Sequence, residues 1–184
     1  MYHPFIAGKK LYLRGLERSD LAGDYFQWLN DLEVTKFMDS GVFPNTPEKM
    51  EEFYRNTALS NNNVIFAIID IESEKHIGNI KLGPISWISR VSPLGIMIGD
   101  KDFWGKDYGY ESIKLVLDYA FKRLNLHKVT LGVVEKNEAA VAVYKKAGFR
   151  VEGHAKSQFY HNGGYCDSIY MGIIEKEFFA SEEE

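Results

Sequence analysis

Phe103-Trp104-Gly105-Lys106-Asp107-Tyr108-Gly109-Tyr110-Glu111 is the stretch that decides how this chain is read, because it joins a strand pattern to a helix pattern. Before it, Leu94–Ile98 is apolar and reads as a strand; after it, Ile113, Val116, Leu117, Ala120 and Phe121 share one face of a helix predicted over Tyr108–Leu124. Glycines let a backbone curl close to a ligand. The free N–H groups at the start of the helix aim at that ligand with the positive end of the dipole, so a pyrophosphate suits the loop. A plain strand-to-helix turn, in which glycines only solve geometry, accounts for it as well, since short glycine patterns are common.

Outward from this loop the elements follow in both directions. Downstream, Lys128–Val134 reads as a strand and Asn137–Ala147 as a helix stopped by Gly148. Phe149–Tyr160 and Tyr165–Ile174 then form a hairpin around His161-Asn162-Gly163-Gly164. Upstream, Val64–Asp70 is a continuous apolar run, with His76–Ile85 after it as a further strand. Thr46 caps a helix that has Pro47 at its first position and reaches about Leu59. Ser19 is placed as cap of a helix over Asp20–Asp31, and Lys10–Leu16 alternates as a half-buried strand does. Between the two helices, Phe37–Asn45 is a loop long enough to shape a pocket. The order predicts one α+β domain with a mixed sheet over residues 1–184, its core at 10–174.

Composition narrows the function. The chain has 184 residues, 45% hydrophobic and 26% charged, which is ordinary globular usage. Net charge is −4 with Lys and Arg scattered, so no basic face for nucleic acid is expected. A single cysteine, Cys166, excludes an intrachain disulfide framework and a multi-cysteine zinc site, and it fits a reducing cytosol. No run of apolar residues is long enough for a membrane span, and Met1–Lys10 has no apolar signal region, so a cytoplasmic protein is expected. Glu182-Glu183-Glu184 reads as a solvated terminus.

A second constellation is Asn137-x-x-Ala140-x-x-x-Tyr144-x-x-x-Gly148-Phe149. These positions share about one helical face, and a phenol there can donate a proton at neutral pH. The structural alternative makes Asn137 an N-cap and Tyr144 a core aromatic. Taken together and in this order, Leu94–Gly99, Phe103–Ser112 and Asn137–Phe149 resemble the GNAT superfamily of acetyl-CoA-dependent N-acetyltransferases. The whole chain is similar to the branch holding the RimJ/RimL ribosomal-protein and spermidine acetyltransferases.

The resemblance implies a mixed, mostly antiparallel sheet with a splayed strand pair and helices on both faces. It implies that the backbone of Ile96, Met97 and Ile98 pairs with the pantetheine arm of acetyl-CoA. The amides of Trp104, Gly105, Lys106, Asp107, Tyr108, Gly109 and Tyr110 then hold the pyrophosphate, and Asn137 contacts the cofactor arm. Tyr144 protonates the leaving thiolate after direct attack by an amine, with no metal taking part. A homodimer through exposed strand edges is common in this fold. A non-catalytic acyl-CoA sensor on the same fold is the alternative. A nucleotide-phosphate loop is disfavoured, because no Gly-Lys-Ser/Thr run or dinucleotide spacing is present.

Two departures from the family pattern bear on activity. Asp107 stands where glycine is usual; aspartate tolerates left-handed angles, but its carboxylate repels a pyrophosphate unless it points to solvent. Weaker cofactor affinity is therefore expected. Ser92-Pro93-Leu94 carries no glutamate where many relatives have one, and no base is assigned. Glu111 reads as a cap of its helix, and Glu135 and His76 as surface residues. For the acceptor amine, Trp28, Phe37, Phe43, Tyr160 and Tyr165 offer aromatic faces and Asp31, Glu33 and Asp39 offer acids. Protein N-termini, polyamines and amino sugars all stay open. Gly78–Trp87 is also similar to acetyltransferases associated with sugar modification.

Overall fold

A strand with a long unbroken apolar run must be covered on both sides. In the computed structural model, which describes residues 4–181, this holds for the strand at Val64–Asp70. Phe66 and Ile68 enter one core cluster, while Ile65, Ala67 and Ile69 enter another on the opposite face. The strand is β3 of a sheet whose other members are β1 (Ile6–Ala7), β2 (Leu11–Gly15), β4 (His76–Leu82), β5 (Val91–Ile98), β6 (Lys128–Val134), β7 (Arg150–His161) and β8 (Gly164–Ile174). Its order is β1-β2-β3-β4-β5-β6-β8-β7. Every neighbouring pair is antiparallel except β5 with β6. The acidic tail at 182–184 lies outside the described residues.

Five helices clothe the two faces among the described residues: α1 (Asp24–Leu29), α2 (Pro47–Thr57), α3 (Tyr108–Lys122), α4 (Glu138–Lys146) and α5 (Glu175–Ala180). The apolar stripe of α3 seats Ile113, Val116 and Leu117, all fully buried, against Leu13, Ile68, Ile80 and Leu82. Each such side chain contributes about 1.5–3 kcal/mol. Tyr144 of α4 and Phe178 of α5 belong to the same cluster. Across the sheet, Tyr25, Trp28 and Leu29 of α1 and Met50 of α2 pack on Ile65, Ala67 and Met97. This α+β architecture is the expected one.

The feature that positions the site is the parting of β5 from β6. They pair only at Val91↔Lys128, Ser92↔Val129 and Pro93↔Thr130, and then diverge. Main-chain groups alternate in direction along a strand. The Gly83 amide donates to the Pro93 carbonyl at 2.9 Å, and the Gly99 amide to the Ile77 carbonyl at 2.9 Å. Odd-numbered residues of β5 therefore bond to β4, and Leu94, Ile96 and Ile98 turn their main-chain groups into the gap.

Several boundaries differ from expectation. The helix predicted over Asp20–Asp31 is two pieces, a 3₁₀ turn at Arg18–Ala22 and then α1, separated at Gly23. Ser19 is not the cap; Glu17 holds that position, and its amide donates to Asp20 at 2.8 Å. Asp20 is in turn clamped by both guanidinium nitrogens of Arg14 at 2.7 Å. Strand β1 and helix α5, both outside the predicted elements, close the sheet edge and the core end. The hairpin tip behaves as its residues require, with Asn162 at φ 49° and Gly163 at φ 80°.

Candidate active site

The gap between β5 and β6 opens into a cleft of about 1220 Å³ that runs from the 103–110 loop to the loop before α2. Gly105 (φ 70°) and Asp107 (φ 63°) both take left-handed backbone, which curls the loop before α3 begins at Tyr108. Glu111 is the first amide of α3 to find a main-chain partner, the Asp107 carbonyl at 2.9 Å. The amides of residues 105–110 have no such partner among the described residues. A concave run of free N–H groups at a helix start is an anion site. Trp104, Gly105, Asp107, Tyr108, Gly109 and Tyr110 all line the cleft. Lys106 does not: its side chain lies outside, 6.0 Å from the Phe103 ring, and its carbonyl accepts from Lys10 Nζ at 3.1 Å.

Asp107 adopts the left-handed angle that aspartate tolerates, but its carboxylate is not simply given to solvent. Oδ1 accepts from Lys146 Nζ at 2.8 Å, and this contact holds the carboxyl below its ordinary range. Both side chains are exposed, so salt screens the pair. Lys146 also lies 4.4 Å from the Tyr110 ring centroid, at the mouth of the loop.

Tyr144 is 8% exposed and lies edge-on to Phe149, with centroids 5.9 Å apart. It lines the cleft, and no protein group hydrogen-bonds its hydroxyl among the described residues. Burial pushes its pKa up to about 12, so the phenol keeps its proton at neutral pH. Asn137 faces the cleft too, but its Oδ1 caps α4 by accepting from the Ala140 amide at 3.3 Å. Its amide nitrogen is the end left for a ligand.

On the splayed strand the three expected residues separate. Ile96 presents its amide and carbonyl to the gap. Ile98 presents its amide only, since its carbonyl accepts the Trp104 indole N–H at 2.7 Å. Met97 is a correction: it is paired with Asn79 of β4, and its side chain packs among α1 and α2 on the far face. Alternation along the strand makes it a wall residue rather than an edge residue.

The far half of the cleft is lined by Tyr25, Phe37, Phe53, Lys81, Phe159 and Tyr170, drawn from α1, the 31–46 loop, α2, β4 and the β7–β8 hairpin. Of the aromatics expected there, only Phe37 is present; it meets His161 of the hairpin tip at 5.2 Å. Trp28 is core, lying over Gly99, where any Cβ would overlap its ring. Phe43 is 72% exposed outside the cleft, and Tyr160 and Tyr165 pack on each other with centroids 5.3 Å apart. Of the acids, Asp31 and Glu33 both bind Lys101, at 2.8 and 2.6 Å, and Asp31 does not line the cleft. Asp39 does line it.

The groups weighed as bases are placed elsewhere. Glu111 does not cap α3; its carboxylate accepts the amides of Lys9 and Lys10 on the β1–β2 turn. Glu135 is exposed. His76 is no surface residue: its side chain is 15% exposed beneath Trp28 and Tyr25. Burial lowers its pKa more than nearby Asp20 raises it. What the sequence reading overlooked is Asn79 and Lys81, two polar residues on one face of β4, between Ile77, Ile80 and Leu82. Their spacing of two was the available signal.

Among the described residues no His, Cys, Asp and Glu cluster could hold a metal ion, and no helix is long and apolar enough to cross a membrane. The chain is 32% identical over 177 residues to the spermidine N(1)-acetyltransferase of Vibrio cholerae serotype O1, covering 95% of this chain and 98% of that protein. It is 34% identical to the spermidine N(1)-acetyltransferase of Escherichia coli K12, covering 93% and 89%. Its fold superposes on the crystal structure of the Vibrio cholerae spermidine N-acetyltransferase in complex with CoA and spermine with a TM-score of 0.84 at 31% identity, covering 92% and 98% of the two chains. Residues 10–150 match the model of the acetyltransferase (GNAT) domain. The free amides at the start of α3 and the open edge of β5 are groups that suit an acyl-CoA thioester, and with these likenesses the chain belongs to the GNAT acetyltransferase family and is an acetyl-CoA-dependent N-acetyltransferase.

Proposed function

We propose that the protein acetylates a small primary amine by direct attack in a ternary complex, in the cytosol. Acetyl-CoA supplies the thioester carbonyl and the thiolate that leaves. The amides of 105–110 hold its pyrophosphate, and the gap-facing groups of Ile96 and Ile98, with the Asn137 amide nitrogen, hold its arm. The amine nitrogen bonds to the carbonyl carbon, the carbon–sulfur bond breaks, and the nitrogen loses a proton to water in the cleft. The Tyr144 hydroxyl gives a proton to the departing sulfur.

The observation that carries this reading is Tyr144. A buried phenol that keeps its proton and has no protein acceptor is a donor waiting for one, and it sits beside the gap. A protein that only binds acyl-CoA has no need of it. Spermidine, the acceptor in the names of the two relatives, is the reference acceptor; peptide N-termini and amino sugars complete the panel.

The test is calorimetric titration with acetyl-CoA, with ATP and NAD as controls, followed by CoA release across the amine panel. Saturable binding of acetyl-CoA alone and amine-dependent release are expected. Binding with no transfer to any amine would favour the sensor reading instead.

A further inference from the structure

Lys81 lies directly opposite Gly95 across the β4–β5 ladder, on the face that looks toward α1 and α2. A Cβ at Gly95 would have nothing within 4 Å, so the space beside the lysine is open. Lys81 lines the cleft, is half-buried, and has no ion pair or hydrogen bond among the described residues. Burial is the sole cause lowering its pKa, with no carboxylate opposing it.

Two residues along the same strand face stands Asn79, 6% exposed and also lining the cleft. Its Nδ2 is fully enclosed and has no hydrogen-bond partner among the described residues. The orientation is fixed by His76, whose Nε2 lies 2.9 Å from the Gly78 carbonyl and 3.0 Å from Asn79 Oδ1. A carbonyl can only accept, so Nε2 carries the proton and donates to both, and Asn79 is left with its N–H₂ end free. His76 is held in turn by the Trp28 and Tyr25 rings and by Asp20 at 3.7 Å. A buried donor kept in place this firmly and left empty points to a ligand that accepts.

The surrounding charges agree. Glu33 shares Lys101 with Asp31, and Asp107 is bound to Lys146, so Asp39 is the cleft carboxylate with no ion pair among the described residues. Lys36 and Lys49 line it as well, one over the Phe37 ring and the other donating to the Pro44 carbonyl. A polycation would have to lie beside the ammonium groups of Lys36, Lys49 and Lys81.

Resting on the acetyl-transfer reading above, we infer that the acceptor is a primary amine that also carries an oxyanion, a carboxylate or a phosphate, bound by Lys81 Nζ and Asn79 Nδ2 beside Gly95. The anion takes no part in bond making. It orients the amine toward the splayed edge of β5 and selects the substrate.

The test uses acceptor pairs alike in their amine: an amino acid against its amide, an amino sugar against its phosphate, and spermidine as the cation. The first pair tests for a carboxylate and the second for a phosphate. Each is measured by CoA release and by calorimetric binding to the CoA complex, for the native protein, Lys81→Gln and Lys81→Glu. The acid-bearing member of one pair should be preferred by roughly ten- to a hundredfold in kcat/KM, the scale of a charge-assisted hydrogen bond. Lys81→Gln should erase that preference through KM with acetyl-CoA affinity unchanged, and Lys81→Glu should turn it toward spermidine. Spermidine or the neutral members serving as well in the native protein, or a preference that survives Lys81→Gln, overturns the inference. So does failure of every acid-bearing amine to bind. Preferential binding without transfer would uphold the subsite and overturn the acetyl-transfer reading, whereas transfer without preference would do the reverse.

Discussion

The two halves of the cleft are built from different material. The half beside α3 and β5 is mostly backbone: amides freed by a helix start, and strand groups freed because β5 parts from β6 after Pro93. The half beneath α1 and α2 is side chains from five separate elements, with Tyr25, Phe37, Phe53, Lys81 and Phe159 among them. A backbone site recognises what all relatives share, since any residue supplies an amide. A side-chain site changes its chemistry with one substitution. The first half therefore reads as the cofactor half and the second as the half that chooses the amine.

The sharpest way to break this division is at the point where the halves meet. Tyr144→Phe should lower kcat by about 100-fold or more while acetyl-CoA affinity stays nearly constant in calorimetry. Because burial pushes the phenol up to about 12, the native rate should show no loss from Tyr144 ionisation through about pH 10, where a free tyrosine would be half-ionised. Unchanged turnover in the variant would remove Tyr144 from the acid role.

Next in size is Gly99→Ala, which tests whether the amine half hangs on its side-chain packing. The added methyl drives Trp28 off the end of β5. A loss of about 1–3 kcal/mol in denaturant unfolding is expected, with acceptor KM rising more than acetyl-CoA Kd. Equal effects on both ligands would mean the halves are not separable. The smallest change concerns a charged side chain at the edge of the backbone half. Lys146→Met removes the ion pair of Asp107 and should weaken acetyl-CoA binding about two- to fivefold at low salt, less at high salt. Asp107→Gly should tighten it, and no change or a weakening there would show that the carboxylate does not repel the cofactor where it stands.

The cofactor half was legible in sequence because its parts are local. Gly105, Asp107 and the apolar stripe of α3 occupy consecutive positions, and free amides follow from any helix start. Even there one of the three residues named on β5 went wrong: Met97 reads like Ile96 and Ile98, and only the ladder with β4 shows which way its main chain turns. The amine half was poorly legible. Trp28, Phe43, Tyr160 and Tyr165 are aromatics in the right segments, yet one is core and three are outer surface, because a loop's composition does not say which side faces in. Lys81 and Asn79 were passed over, since a lysine and an asparagine in a strand are ordinarily edge or solvent residues.

By itself the sequence determined the element order, the glycine-led helix start and the Asn137–Tyr144 face, all matters of spacing along one segment. Tertiary structure alone decided that β5 leaves β6 at Pro93, that Lys146 meets Asp107 across 39 positions, and that His76 takes the amide oxygen of Asn79 and leaves its nitrogen without a partner. Local periodicity follows from backbone geometry and the hydrophobic effect, which act between near neighbours. The register of distant strands and the meeting of distant side chains depend on how the whole sheet closes over its two cores, and no short stretch of chain contains that information.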